Sequence, residues 1–202
     1  MRPGLEPQSD PLAGLGVQAA RGDEAAIRTL LSTLGPHLLR IVRRVLGSVH
    51  PEVDDVAQEC AIALISALPR WRGDSTLLHF ACRVAVLTAM SVRRSERAEK
   101  RRAERAEGLA VEAFPSPLPA PDAELSARVT TELVRELLDS LPLEQAEVLG
   151  LHCVVGYTMP EIAAASGVPL ETVRSRLRLA KLALRARVLG HARRAEISEE
   201  SS

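Results

Sequence analysis

The 202-residue chain is short of the residues that characterise several common classes of protein. Aromatic residues make up only 2% of it, so Leu, Val, Ala and Ile must fill any core. Its three cysteines, Cys60, Cys82 and Cys153, show no C-x-x-C spacing, which argues against a disulfide framework and a zinc site. No apolar run reaches the roughly 18–20 residues of a membrane span, and the N-terminus lacks a signal-peptide pattern. We therefore predict a cytoplasmic protein without membrane insertion.

The motifs of common enzymes are also missing, since there is no Gly-rich phosphate loop and no Ser/His/Asp pattern. His152 and Cys153 are adjacent in an apolar run, which favours a role in the core over a nucleophile pair. The carboxylates of 54, 55 and 59 could suggest a metal site, but no further oxygen ligands accompany them. We expect no enzyme activity, no catalytic residue, no metal and no cofactor.

The chain has no net charge, with 26 basic and 26 acidic side chains, but the charges are unevenly distributed. Residues 93–105 hold seven basic groups against three acids, and residues 171–187 hold six against one. Residues 111–150, in contrast, hold eight acids and two basic groups. Two basic surfaces separated by an acidic segment indicate a nucleic-acid binder whose contacts are confined to particular elements.

The most informative pattern lies in residues 157–187 and predicts a helix-turn-helix. Thr158 followed three positions later by Glu161 is a capping box, which marks the start of a helix. Gly167 can adopt the left-handed conformation that ends this helix, and Pro169 lies where the next one begins. Two helices joined in this way are typical of proteins that place the second helix in the DNA major groove.

The second helix of this motif carries two neighbouring stripes. Apolar residues recur at spacings of three and four, as a buried face requires: Val173, Leu177, Ala180, Leu184 and Val188. Arginines beside that face can pair with guanine edges or phosphates, and Thr or Ser can contact either. The alternative is a solvated charged face on an ordinary helical hairpin. On the first interpretation, the DNA-binding set is Glu171, Thr172, Arg174, Ser175, Arg176, Arg178 and Lys181.

The composition favours an all-α chain with two small helical domains joined by a Pro-rich linker, the second domain containing the helix-turn-helix. Alternating prolines make the linker semi-rigid and extended. Fully stretched, it spans about 55 Å, more than one DNA turn of roughly 34 Å. The predicted divisions are a flexible leader (1–21), a first domain (22–106), the linker (107–124), a second domain (125–190) and a tail (191–202).

Within the first domain we predict four helices from periodicity and from Gly and Pro punctuation. The first begins near Asp23 and is broken at Gly35-Pro36, and the second ends at Gly47. The third follows Pro51, and the last is a long helix that Ser75 caps and that runs to roughly residue 105.

Together these features resemble the bacterial RNA polymerase sigma factors of the sigma-70 family, specifically the extracytoplasmic-function (ECF) group. The resemblance covers about residues 22–106 and 138–188, and it depends on the order and spacing of short phrases rather than on any one of them. The phrases are GDEA at 22–25, PHLLR at 36–40, DDVAQE at 54–59, LPRWRGDS at 68–75, LPLEQAEVL at 141–149 and VRSRL at 173–177.

The resemblance implies a protein that binds RNA polymerase core, directs it to particular promoters and is held by an anti-sigma factor. It implies core contacts at Asp54, Asp55, Gln58 and Glu59. The helix-turn-helix set above would read the minus-thirty-five element. The minus-ten element would be read and opened by Trp71, Asp74, Ser75, His79, Phe80, Arg83, Arg93 and Arg94.

The long helix departs from the family pattern, which usually reads Arg-Thr-Trp-Leu and then Ile-Ala-Arg-Asn. Here Phe80 replaces the Trp, and Val86 and Leu87 replace the Arg and the Asn. Two alternatives stay open, and the changes at Val86 and Leu87 favour the first of them. One is a degenerate sigma-like protein that does not melt promoter DNA, and the other is a helix-turn-helix regulator that acts without polymerase.

Overall fold

A computed structural model of the chain describes residues 10–106 and 138–200. All regular secondary structure in these two ranges is helical, as predicted. None of the helices in them is long and apolar enough to cross a membrane. The helices are α1 (Ala13–Ala20), α2 (Glu24–Leu46), α3 (Val53–Ala67), α4 (Leu77–Ala106), α5 (Leu143–Gly150), α6 (Met159–Ser166) and α7 (Leu170–Glu200).

Helix α2 begins where predicted but is not broken at Gly35-Pro36. At its start, the Asp23 carboxylate accepts a hydrogen bond of 2.9 Å from the backbone N–H of Ala26. The helix then continues through Pro36 to Leu46, so the predicted break is wrong. The apolar stripe explains this, because it continues on both sides of the proline: Leu30, Leu34, Leu38, Ile41 and Val45 are all buried. Packing of this stripe outweighs the roughly 3 kcal/mol that an interior proline costs a helix.

The predicted flexible leader is wrong for residues 13–20, which form α1 and pack on α2. Asp10 explains part of this order, since one carboxylate oxygen accepts from Leu12 N at 3.0 Å and the other from Leu77 N at 2.5 Å. Gly16 explains the rest, because the absence of a side chain there lets α1 approach the Leu77 side chain closely. Residues 1–9 of the leader lie outside the described residues, as does the predicted linker 107–124.

Helices α2, α3 and α4 form a bundle, and α1 lies along one side of it. The buried face of α3 is the predicted one, with Val53, Val56, Cys60 and Leu64 inside. A 3₁₀ turn, Leu68–Arg70, ends α3, and the chain then enters the connector of residues 71–76. The buried face of α3 therefore follows the predicted apolar periodicity.

The start of α4 differs from the prediction, which made Ser75 the cap. The hydroxyl of the next residue, Thr76, accepts a hydrogen bond of 3.2 Å from the backbone N–H of His79. The Ser75 carbonyl instead accepts a hydrogen bond of 3.0 Å from the Trp71 indole. The indole thus holds the carbonyl of Ser75, and Thr76 is the residue that caps the start of α4.

The second domain contains the predicted helix-turn-helix. A π-helical turn, Leu151–Val155, follows α5 and leads to α6, which begins with the predicted capping box. Gly167 has φ +67° and ends α6 in the left-handed conformation. On α7, Val173, Leu177 and Ala180 are buried as predicted and Leu184 is half-buried. The side chain of Val188 lies outside the described residues, and α7 continues to Glu200, beyond the predicted domain end at 190.

The two domains are in contact along α4, and their buried apolar side chains form one continuous cluster. Within this contact, Gly150 of α5 faces Val86 of α4. A Cβ atom added to Gly150 would lie only 3.0 Å from Val86 Cγ1 and 3.7 Å from Met90 Sδ. Val86 is fully buried, so one of the residues that depart from the family pattern packs at the contact between the domains.

Candidate nucleic-acid interface

The recognition face of α7 is directed to solvent. Glu171, Arg174, Ser175, Arg178 and Lys181 are exposed, whereas Thr172 and Arg176 are half-buried. The face is exposed because the buried stripe of the same helix packs against the second-domain core. The helix-turn-helix therefore presents its predicted set to an approaching partner as a group.

Charge and shape on α7 suit an anionic ligand. The carboxylate of Glu171 pairs with the Arg174 guanidinium one turn later, which holds that arginine along the helix. Beside this pair lies an open groove of about 340 Å³ with four cationic side chains and three apolar ones. The residues that line it are Met159, Arg174, Leu177, Arg178, Lys181, Leu182 and Arg185.

The connector residues of the predicted minus-ten set lie together near α1. Trp71 and Ser75 are half-buried and joined by the indole hydrogen bond, while Asp74 is exposed. Gly73, with φ +78°, supplies the tight turn between them. An open groove of about 360 Å³ lies between the connector and α1. The prediction of a flexible leader did not anticipate the wall that α1 forms. The residues that line the groove are Ala13, Gly14, Val17, Trp71, Arg72 and Gly73.

The α4 residues of the minus-ten set lie elsewhere, at the contact with the second domain. Arg83 Nε donates to Glu147 Oε1 at 2.6 Å, and Ser166 Oγ donates to the same oxygen at 2.7 Å. His79 Nε2 lies 3.8 Å from Glu161 Oε1. Phe80, the next residue, is half-buried and packs against the apolar core. The structure thus divides the predicted set into a connector group and an α4 group.

Further along α4, arginines surround one carboxylate of the second domain. Arg93 Nε donates to both oxygens of Asp139, at 3.0 and 2.9 Å. Arg97 Nε lies 2.9 Å from the same carboxylate. Arg94 donates to the backbone carbonyls of Leu138 and Leu141, at 3.0 and 2.8 Å. Burial raises the pKa of the Asp139 carboxyl, and the neighbouring guanidinium groups of Arg93 and Arg97 oppose that shift.

Tyr157, the single tyrosine, also lies at this contact. Its ring centroid is 4.4 Å from that of His79, with the two planes tilted by 60°. Burial raises the pKa of the Tyr157 hydroxyl, and the Cys82 thiol nearby raises it further. A further contact joins the second domain to α2, where Arg44 donates a hydrogen bond of 2.6 Å to the Val154 carbonyl. Polar groups from α2 and α4 therefore hold several parts of the second domain.

The predicted core-binding residues lie on the exposed side of α3. Asp54, Asp55, Gln58 and Glu59 are all exposed in the first two turns. One turn further, Ile62 is 57% exposed, so an apolar side chain adjoins the acidic group. In residues 10–106 and 138–200, no group of three or more His, Cys, Asp or Glu side chains could hold a metal ion.

The second-domain groups that contact α4 were not predicted from the sequence. Glu147 carried the clearest signal, since it is an acid within the apolar run Ala146–Gly150, and the structure leaves it only 5% exposed. Asp139 carried no such signal, because it is followed by a second polar residue, Ser140, and so does not lie within an apolar run. Only the tertiary structure shows that the partners of these acids lie on α4.

Comparisons with known proteins agree with this architecture. Residues 30–99 match the family description "Sigma-70 region 2", and residues 131–184 match "Sigma-70, region 4". The ECF RNA polymerase sigma factor SigD of Mycobacterium tuberculosis is 35% identical over 180 residues, which is 85% of this chain and 81% of SigD. The ECF RNA polymerase sigma-E factor of Escherichia coli K12 is 30% identical over 171 residues, 81% of this chain and 87% of that protein.

Among solved structures, CnrH in complex with the cytosolic domain of CnrY is similar in fold. The match has a TM-score of 0.50 and 23% sequence identity, and it covers 87% of this chain and 96% of CnrH. The two matched regions, their order and the relatives matched over most of their length lead to one conclusion. The chain belongs to the ECF group of the sigma-70 family, and it is a sigma factor that directs transcription initiation.

Proposed function

We propose that the second domain recognises the minus-thirty-five element through the exposed face of α7. The observation that carries this proposal is the capped helix-turn-helix, whose recognition residues are directed away from the core while their helix is anchored by Val173, Leu177 and Ala180. Arg174, Arg178 and Lys181 would bind phosphates or base edges, and Ser175 and Thr172 would contact either. Glu171 would orient Arg174 through their ion pair.

The first domain would bind polymerase core through Asp54, Asp55, Gln58 and Glu59 on α3, with Ile62 at the edge of the contact. Charged side chains at an interface steer association and select the partner by complementary charge. The connector, with Trp71, Asp74 and Ser75, would receive an unpaired base of the minus-ten element beside α1. An aromatic face and polar groups are the features that hold such a base.

The remaining minus-ten contacts would come from α4, through His79, Phe80, Arg83, Arg93 and Arg94. These arginines suit phosphates, because guanidinium groups bind anionic oxygens in pairs. In this function the chain acts by binding and has no catalytic residues or cofactor of its own. It would act in the cytoplasm, where the polymerase and the chromosome are. Because CnrH forms a complex with the cytosolic domain of CnrY, we propose an anti-sigma partner for this chain as well.

Transcription reconstituted from purified parts tests these assignments. The full chain and polymerase core are combined on promoters found by sequencing the transcripts that rise on overexpression. We expect initiation on fully paired templates. Initiation only on premelted templates would support the degenerate alternative, while DNA binding without any association with core would support the polymerase-independent regulator.

A charge reversal on α3 tests the core-binding surface separately. We expect Asp55→Lys, or Glu59→Lys, to lower the affinity for core at least about tenfold, because charges with the wrong sign at an interface cost several kcal/mol. The matched control is Glu24→Lys, an exposed acid in the first turn of α2. Equal core affinity of the reversed protein and the control, both still helical by circular dichroism, would remove α3 from the proposed interface.

A further inference from the structure

The open groove between α1 and the connector has a composition that suits a single nucleotide. The connector contributes the aromatic ring of Trp71 and the cationic side chain of Arg72, and α1 contributes Ala13, Gly14 and Val17. Its volume of about 360 Å³ lies at the lower end of the range of roughly 300–1,000 Å³ that is usual for ligand sites. A base beside the indole, with its phosphate near the arginine, would use both connector groups.

The wall that α1 contributes is held in place by two contacts. The Asp10 carboxylate, just before α1, accepts hydrogen bonds from Leu12 N at 3.0 Å and from Leu77 N at 2.5 Å. Gly16 lies so close to the connector and α4 that an added Cβ atom would be 3.3 Å from Trp71 Cζ3 and 2.7 Å from Leu77 Cδ2. The groove is therefore preformed, which lowers the cost of ordering it when a ligand binds.

The Trp71 ring is fixed at both of its edges. On one side, the indole N–H donates a hydrogen bond of 3.0 Å to the Ser75 carbonyl. On the other, the six-membered ring, which includes Cζ3, lies beside Gly16 of α1. Turning the ring out of the groove would break the hydrogen bond, so the aromatic surface is available to a base without rearrangement.

The face of α1 that lines the groove is apolar and has open space in front of it. Gly14 and Val17 are three residues apart and are therefore neighbours on one face of the helix. Both are exposed, and Val17 is 45% exposed although it is apolar. A Cβ atom added to Gly14 would meet no described atom within 4 Å. This surface can therefore receive a small apolar group of a ligand.

We propose that α1 is part of the minus-ten site, where Gly14 and Val17 receive the 5-methyl group of an unpaired thymine whose ring stacks on Trp71. Apolar side chains are the groups that contact the thymine methyl in protein–DNA complexes. Arg72 would bind the phosphate of the same nucleotide. The site would then prefer thymine to a pyrimidine without the methyl group. The inference rests on the proposed function, because it takes the connector as the part that receives an unpaired base.

The test compares two single-stranded DNA 20-mers that differ only in this methyl group, oligothymidylate and oligodeoxyuridylate. The full chain is bound to polymerase core, core alone gives the baseline, and fluorescence anisotropy measures each dissociation constant. We expect the complex to bind oligothymidylate about threefold to fourfold more tightly, which is the effect of burying one methyl group.

Two substitutions on α1 locate the discrimination. Gly14→Leu fills the open space and should weaken oligothymidylate binding at least about fivefold, the lower end of the effect of losing one stacked base. It should also bring the ratio of the two affinities to about one. The matched control is Gln18→Leu, which adds the same side chain at an exposed position of α1 that does not line the groove. Val17→Ala should lower the ratio and keep most of the affinity.

The possible results separate the inference from the proposed function. Equal affinity of the wild-type complex for the two 20-mers would overturn the inference, and so would a ratio that Gly14→Leu and Val17→Ala leave unchanged. A lower affinity for core with an unchanged ratio would assign the groove to the polymerase and overturn it as well. If the complex binds neither 20-mer better than core alone, the proposed minus-ten function fails, and the inference fails with it.

A second measurement uses the unaltered chain and covers the case in which a variant fails to fold. A 20-mer of 5-bromodeoxyuridylate carries bromine in the position of the methyl group and crosslinks to adjacent side chains on irradiation. Mass spectrometry of the digested complex should find crosslinks at Trp71 or within residues 13–17. Crosslinks confined to other elements of the chain would overturn the inference.

Discussion

Gly14 and Gly16 of α1 have different surroundings. Replacing each by alanine therefore tests why α1 is ordered. A Cβ atom at Gly16 would lie 2.7 Å from Leu77 Cδ2 and 3.3 Å from Trp71 Cζ3, whereas one at Gly14 would meet nothing within 4 Å. We expect Gly16→Ala to lower the free energy of unfolding by about 1–3 kcal/mol through overpacking. Gly14→Ala should raise it by about 0.5–1 kcal/mol through helix propensity.

Urea unfolding followed by tryptophan fluorescence measures both changes, because Trp71 is the only tryptophan and lies beside α1. If the two alanine variants shift the midpoint by the same amount, the close approach of α1 to Leu77 is not the cause of its order.

In the proposed function, Arg174 on the exposed face of α7 would contact duplex DNA. Arg174→Ala should weaken promoter binding by about 1–3 kcal/mol if the guanidinium contacts a base, and relax specificity at that position. If it contacts only a phosphate, all sequences should weaken alike and the salt dependence should fall by about one unit. The half-buried Arg176 should show the same kind of loss on replacement by Ala.

Titrations of labelled promoter duplexes at several salt concentrations distinguish these cases. The control is Arg28→Ala, which removes one exposed arginine from α2. Should Arg174→Ala and Arg176→Ala both bind as tightly as Arg28→Ala, another face of the second domain must contact the duplex.

At the scale of single elements, the start of α6 depends on a reciprocal contact that was visible in the sequence. The Glu161 carboxylate accepts hydrogen bonds of 2.7 Å from both the N–H and the hydroxyl of Thr158. Thr158→Ala removes the hydroxyl and should cost about 1 kcal/mol of stability at neutral pH. Ser175→Ala, which removes an exposed hydroxyl from α7, should cost less than about 0.5 kcal/mol.

The same contact predicts a dependence on pH. Hydrogen bonds from Thr158 lower the pKa of Glu161 below its usual 4.5. An acid with a lowered folded-state pKa contributes its stability fully above the unfolded value and loses it as the pH falls through the folded value. The difference in melting temperature between wild type and Thr158→Ala should therefore be full above pH 5 and shrink below pH 4. A difference that stays constant down to pH 3 would show that the Glu161 contact is not involved.

Local patterns predicted most elements, and the failures share a physical cause. Capping by Asp23, the turn at Gly167 and the buried stripe of α7 are local features, so the sequence alone reveals them. The break at Pro36 and the flexible leader were wrong because distant partners override local preference. For α2 these are the side chains of the bundle, and for α1 they are Leu77 and Trp71.

In the candidate site, too, local features were predictable and contacts between distant residues were not. The α7 face was predictable, since exposure follows from the opposite buried stripe. The partners of the α4 arginines were not, because Asp139 and Glu147 are separated from them by 46 and 64 residues. No periodicity within α4 distinguishes an arginine that faces solvent from one that meets a carboxylate of the second domain.

At the scale of the whole molecule, the three cysteines differ in how deeply they are buried. Cys153 is exposed, while Cys60 and Cys82 are buried. Burial raises the pKa of the Cys60 thiol to about 12, so very little of the reactive thiolate forms there at neutral pH. Cys82 lies close to Tyr157 at the contact between the domains.

We therefore expect three rates with a thiol reagent, measured by mass spectrometry of digested samples. Cys153 should react first, Cys82 at the rate at which the domains separate, and Cys60 only when the first domain unfolds. Asp139→Asn with Glu147→Gln should accelerate Cys82 and leave Cys60 unchanged. Equal acceleration of Cys60 would mean that these substitutions loosen the whole first domain instead of the contact.

The hydrogen bond from Leu77 N to Asp10 bears on how sigma factors can be recombined. The region 2 match begins at residue 30, so a chimera joined at that border would start inside α2. A graft started there would discard α1 and the carboxylate at the start of α4, leaving the first turn of that helix prone to fraying. Grafts of this first domain should therefore begin before Asp10. If a graft that lacks Asp10 opens promoters poorly, the cause would be the missing cap on α4 rather than a mismatch between the two exchanged domains.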